Sequence, residues 1–328
     1  MILSFSLAFS AAPTQAQAPA KSPASGGSTA AEQGIHLAEN GKCRDALPLL
    51  KKSIRQIVNS DLKKRAGLYG LRCAMMGNVS YEALVFLDVL SREFPRDPEV
   101  LYAVTHAYSD LSLRTSQSLM REAPFSYQVR ELNAEAFEVQ GQWDKAAAEY
   151  RKILDVNPLL PGIHERLGRA LLSKPQHSNA DVEVAKKNFE EELQIDPKNA
   201  TAEYVLGELA KDDGDLSAAV GHYTRATKID AGFSEAYLGL GSALVAAKQF
   251  TEAIPPLETY EKLAPDSPTG HYQLALAYNG VGRREDANRE AALQRETAAS
   301  LEQLKRKIAE GLLQPSSDPP GQPRKPPE

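Results

Sequence analysis

The sequence predicts an all-α protein: a right-handed α–α superhelical solenoid of about eight helix–turn–helix units with a C-terminal capping helix. Three observations point there. Small residues recur at Ala134, Gly168, Gly207, Gly241 and Ala275, at intervals of 34, 39, 34 and 34 residues. A second series, Ala146, Ala185, Ala219, Ala253 and Ala287, steps by 39, 34, 34 and 34. One insertion of five residues in the Ser173–Val182 loop accounts for both long intervals. Within each period, apolar residues fall at the i, i+3, i+4, i+7 spacing of a helix buried on one face, twice over.

Composition narrows the function classes. The chain has 328 residues, 42% of them hydrophobic, enough to bury a sizeable core. A net charge of −5, with Lys and Arg not clustered, argues against a protein that coats nucleic acid. Two cysteines are too few for a four-thiolate zinc site or a disulfide-stapled mini-scaffold.

The two ends read differently from the middle. Residues 1–20 open with an apolar run of about eleven residues followed by small residues, which suggests a signal peptide and an exported, periplasmic or secreted protein. The run lacks a preceding Lys or Arg, so a cytoplasmic protein stays open as the alternative. It is too short to span a bilayer, which takes about 20 residues, and no stable membrane anchor is expected. Residues 21–30 read as a flexible leader, and 31–301 as the solenoid. The capping helix ends over 302–313, and 314–328, with six prolines, reads as a disordered tail.

Units begin near residues 30, 64, 98, 127, 161, 200, 234 and 268. Ala200–Phe233 shows the pattern most clearly. Glu203, Leu206, Gly207 and Ala210 share one helical face; Asp212-Asp213-Gly214-Asp215 breaks it; Ala219, Tyr223 and Ala226 resume it. Gly214 supplies a permissive backbone at the break and Asp215 a cap for the second helix. Gly207 and Ala219 are small enough to let the two helices approach closely. The third unit, Asp97–Ser126, departs most, with a short second helix expected around Ser116–Glu122. Beyond the eighth unit, Leu293, Thr297, Leu301, Leu304, Ile308 and Leu312 mark one stripe of the expected cap.

These residues resemble the tetratricopeptide repeat, a 34-residue helical hairpin with small residues at positions 8 and 20, Gly near 15, an aromatic at 24 and Pro at 32. Ala134, Gly141, Ala146, Tyr150 and Pro158 match all five. Gly207, Gly214, Ala219 and Tyr223 match four, and the likeness extends over roughly residues 30–300. The resemblance implies a non-catalytic scaffold that binds a protein or peptide segment in its concave groove. It also leaves open an assembly factor for outer-membrane or pilus components, or a cytoplasmic adaptor. Carried over position by position, the groove stripe comprises Tyr102, His106, Glu131, Glu135, Glu165, Arg169, Tyr204, Glu208, Lys211, Tyr272 and Asn279. Acids outnumber bases there and tyrosines are interleaved, which suits a partner with basic and apolar residues. The family's carboxylate clamp of Lys and Asn is not matched by Glu131, Glu135, Glu165 and Arg169.

No catalytic constellation, cofactor or metal site is expected. His164 and His271 fall at position 4 of their units and read as core-lining residues, and His164-Glu165 lacks the second His of a zinc helix. Cys43 and Cys73 lie 30 residues apart, near the same end of neighbouring helices. They suit a disulfide in an oxidising compartment, or two buried thiols otherwise.

Overall fold

The computed structural model describes residues 23–313. The signal-peptide reading of residues 1–20 and the tail 314–328 lie outside the described residues. Within them the chain forms fifteen α-helices and no strand, in two compact units, one ending at Pro124 and the other beginning at Phe125.

The first unit stacks two hairpins, α1 (Pro23–Glu39) with α2 (Cys43–Ser53) and α3 (Ser60–Met76) with α4 (Ser80–Glu93), and closes on α5 (Pro98–Glu122). Two sequence expectations need correction here. Residues 23–30, read as part of the leader, are the first turns of α1. Gly27 lies so close to Gln56 that an added Cβ would meet that side chain at 3.2 Å. The third unit is one helix of 25 residues rather than a hairpin. No Gly or Pro interrupts 99–122, and Arg114 fixes the middle of α5 by bonding Asp110 at 2.8 Å, the Met75 carbonyl at 3.2 Å and the Asn78 side chain.

The second unit is five hairpins: α6 (Tyr127–Val139) with α7 (Trp143–Leu154), α8 (Ile163–Leu172) with α9 (Asn179–Ile195), α10 (Ala200–Asp212) with α11 (Leu216–Ile229), α12 (Ser234–Ala246) with α13 (Phe250–Leu263), and α14 (Pro268–Gly280) with α15 (Arg284–Leu313). The inserted residues fall between α8 and α9, where Ser178 and Asp181 form a capping box that restarts the helix. Asp215 caps α11 by accepting from the Ala218 amide at 2.9 Å, directly after Gly214 turns the chain at φ +80°.

One contact recurs in five of the seven hairpins. The small residue of the first helix faces the large residue sixteen positions later on the second, as Gly34 does Leu50, Gly207 does Tyr223 and Gly241 does Leu257. Gly168 faces Phe189, twenty-one positions later, across the inserted loop. Tyr150, Tyr223, Phe86 and Phe189 are among the largest fully buried side chains. The cap differs from its expected form. The start of α15 packs on α14, but residues 301–311 are exposed, and Leu301, Leu304 and Ile308 are 41%, 53% and 53% accessible.

Cys43 at the start of α2 and Cys73 near the end of α3 are joined by a disulfide, with Cα atoms 4.9 Å apart. Closing a loop of this length removes about 3–4 kcal/mol of unfolded-chain entropy. Reduction, or Cys43→Ala with Cys73→Ala, should destabilise the first unit by about that amount, read as lost amide-exchange protection in α1–α4. At Gly207 an added Cβ would lie 2.7 Å from the Tyr223 ring, whereas at Gly221 on α11 the nearest atom is 3.6 Å away, on a flexible Arg225. Gly207→Ala should therefore cost about 1–3 kcal/mol by overpacking, outweighing the roughly 1 kcal/mol it gains in helix propensity. Gly221→Ala should stabilise, and urea denaturation at unchanged slope separates the two.

Candidate partner-binding surfaces

In the first unit, α3 and α5 enclose an open cavity of about 690 Å³. Leu68, Leu71, Met75, Ala103 and Ala107 give it an apolar lining, and Arg65, Arg72, Glu99 and Asp110 charge its walls. Tyr102 and His106, both expected in the groove, line it together with ring centroids 4.3 Å apart, and Tyr102 is 70% exposed. Sequence reasoning missed Arg65, Tyr69 and Arg72, whose i, i+4, i+7 spacing on α3 was the available signal. Arg72 stacks on Tyr69 with its guanidinium carbon 5.3 Å from the ring centre.

The second unit gives its expected groove residues other duties. Arg166, not anticipated, reaches back from α8 to Glu135 at 2.6 Å and Glu131 at 3.6 Å. Glu165 accepts from Asn199 at 3.0 Å and lies 3.4 Å from Arg169. Glu208 pairs with Lys211 at 2.6 Å and accepts the Tyr223 hydroxyl. The acids that outnumber bases in this stripe are thus each paired within the protein. Tyr204 is half-buried, with ring centroids 5.0 Å from Phe233 and 5.9 Å from Tyr223. Burial, then Glu208 and Glu235, push its phenol up to about 12. Tyr272 and Asn279 stand exposed on α14.

The two histidines at position 4 are buried. His164 meets Asn188 at 2.9 Å, the Pro158 carbonyl at 2.9 Å and Glu191 at 3.2 Å. His271 meets Glu290 at 2.9 Å, Glu261 at 2.7 Å and the Pro265 carbonyl at 3.2 Å. Burial, then the facing Glu290, push Glu261 up to about 7.

The family model for the tetratricopeptide repeat matches residues 132–180 and 204–268. Over those stretches the chain is similar to the tetratricopeptide repeat family. Both lie in the second unit, where the hairpins of that repeat are most regular. Among solved structures, a crystal structure of MamA is 22% identical over 52% of this chain and 91% of its own, with a TM-score of 0.47. MamA residues 41 to the end from Desulfovibrio magneticus RS-1 is 17% identical over 53% of this chain and 96% of its own, at 0.47. YrrB, described as a TPR protein with an unusual peptide-binding site, is 18% identical over 56% of this chain and 91% of its own, at 0.48. No curated protein matches the chain. Among the described residues, no helix is long and apolar enough to cross a membrane.

Arg166 is 32% exposed at its side chain and serves two carboxylates, while Arg169 is 50% exposed and serves one. Arg166→Ala should then cost about 1–2 kcal/mol, and Arg169→Ala no more than about 0.5 kcal/mol, in urea denaturation.

Proposed function

We propose that this tetratricopeptide-repeat chain is a non-catalytic interaction scaffold of the cell envelope, and that the α3–α5 cavity seats an apolar or aromatic anchor from a protein partner. The observation that carries this reading is the exposed Tyr102–His106 pair over an open apolar cavity with charged walls. Aromatic side chains half in water and half over an apolar floor are favourable interface anchors, because they bury much area at little rotamer cost. The wall charges are engaged within the first unit, Arg65 with Glu39, Arg72 with the Ala38 carbonyl, Glu99 with Lys64 and Asp110 with Arg114, so the anchor's recognition rests on the aromatic pair and the apolar floor. The preference for a basic partner is given up in the second unit, since its acids are paired internally.

The Cys43–Cys73 bond supports the envelope assignment over the cytoplasmic alternative, because reducing compartments rarely keep a structural disulfide. The scaffold reading rests on repeat architecture and an open groove, with the buried polar groups serving the packing of the hairpins.

The test is site-specific photocrosslinking in the native cell. A photoprobe at position 102 should trap one discrete partner, and the same probe at Ala136, exposed on α6, should not. Tyr102→Ala should weaken that partner's affinity by about tenfold or more while leaving the melting curve in place. Equal trapping from both positions, or unchanged affinity, rejects the cavity.

A further inference from the structure

Three helices of the second unit converge on one buried imidazole. Glu261 comes from the end of α13, His271 from the first turns of α14 and Glu290 from α15. His271 and Glu290 are 7% and 6% exposed. The ring is oriented without ambiguity: Nε2 lies 3.2 Å from the Pro265 carbonyl, which only accepts, so Nε2 bears a hydrogen. Nδ1 therefore faces the two carboxylates, at 2.7 Å from Glu261 Oε1 and 2.9 Å from Glu290 Oε2.

That arrangement does not close with protons on the ring alone. A hydrogen on Nδ1 serves Glu290, and the buried Glu261 Oε1 is left with no hydrogen bond despite its proximity. With both carboxyls ionised, one imidazolium would leave a net negative charge, costly in a dry site and relieved by a proton on Glu261 or by a bound cation. Arg289 compensates little, being 3.7 Å from Glu290, 59% exposed and bonded to Asp286 at 2.8 Å. Lys262 lines the adjoining cavity but makes no ion pair with the cluster.

We propose that Glu261, His271 and Glu290 bind a divalent transition-metal ion, zinc foremost, through Glu261 Oε1, His271 Nδ1 and Glu290 Oε2. The three ligand atoms lie within 4.8 Å of one another, and among the described residues this is the cluster with that property. Small side-chain rotations bring such a set to the about 2.0–2.2 Å of zinc–nitrogen and zinc–oxygen bonds. One imidazole and two carboxylates without a thiolate suit zinc, manganese or iron(II) over copper(I). The Pro265 carbonyl supplies the outer contact that fixes a ligating histidine's tautomer. A fourth position opens on a cavity of about 390 Å³ lined by Glu258, Lys262, Leu274 and Tyr278, which has room for water or a partner's ligand. The ion ties α13, α14 and α15 together, and this departs from the sequence expectation of no metal.

The test uses the full chain without an affinity tag, stripped with chelator and then dialysed against zinc. One zinc per chain should remain, and zinc should raise the melting temperature. Cobalt(II) in place of zinc should give a visible ligand-field band. Glu290→Gln and Glu261→Gln, both near-isosteric, should each weaken zinc binding by at least about tenfold and abolish the zinc-dependent rise in melting temperature. Glu191→Gln, beside His164, should bind zinc as the wild type does. Wild-type protein that retains no zinc, or Glu290→Gln that retains it equally, overturns the site.

Discussion

The constraint on which the rest depends is the bare backbone that five first helices present, at Gly34, Gly70, Gly168, Gly207 and Gly241, to a bulky side chain of the second. Tyr223 lies where a Cβ on Gly207 or on Gly239 would stand, 2.7 and 2.6 Å from its ring atoms, so one phenol sits between two glycine-faced helices. Close approach of helix axes is what lets single hairpins, marginal alone, bury enough area against their neighbours to persist. The constraint is indifferent to loop length. Five extra residues between α8 and α9 leave Phe189 against Gly168 just as Leu257 lies against Gly241.

The same constraint sets the surface electrostatics. A tyrosine driven into the hairpin must still bond its hydroxyl, and three find a glutamate: Tyr150 bonds Glu138 at 3.0 Å, Tyr278 bonds Glu258 at 2.8 Å and Tyr223 bonds Glu208, while Tyr260 bonds Ser267 at 2.8 Å. These acids are therefore anchored by the core. Others are held by the neighbouring hairpin, as Glu135 is by Arg166 and Glu165 by Asn199. A net charge of −5 consequently says little about what a partner must carry. The α3–α5 cavity reads differently, because Tyr102 is exposed over an apolar floor with no comparable task in packing.

The hairpins were legible in the sequence because packing positions repeat in type: Gly207, Gly214, Asp215, Ala219 and Tyr223 each do in the structure what their chemistry implies. Two stretches were not legible. The start of α1 is rich in Ala, Ser and Gly, so composition resembles a linker, yet Gly27 within it is buried against Gln56. The helix α5, 25 residues long, stands where a whole hairpin was expected and lacks the Gly or Pro that would divide it. The pairing of acids was hidden for another reason. Arg166 and Glu135 stand 31 residues apart and Asn199 and Glu165 stand 34 apart, close to one period. Charges one repeat apart on facing helices are the pattern to search, and a reading that treats each helix alone counts them as free.

Repetition also supplies an internal comparison for the buried histidines. His164 and His271 occupy the same place in their hairpins, and each directs Nε2 at the carbonyl of the proline six residues earlier. Around His164 the partners are the neutral Asn188 and the partly exposed Glu191, so the ring meets a single carboxylate. Around His271 both partners are carboxylates, and the nearer oxygen has no hydrogen to accept. Backbone, burial and ring orientation are held fixed between the two, so the difference lies in the partner side chains alone. A packing role would be served as well by the first arrangement, at lower electrostatic cost. The second is the arrangement that gains from a cation, and the repeat architecture makes the contrast visible within a single chain.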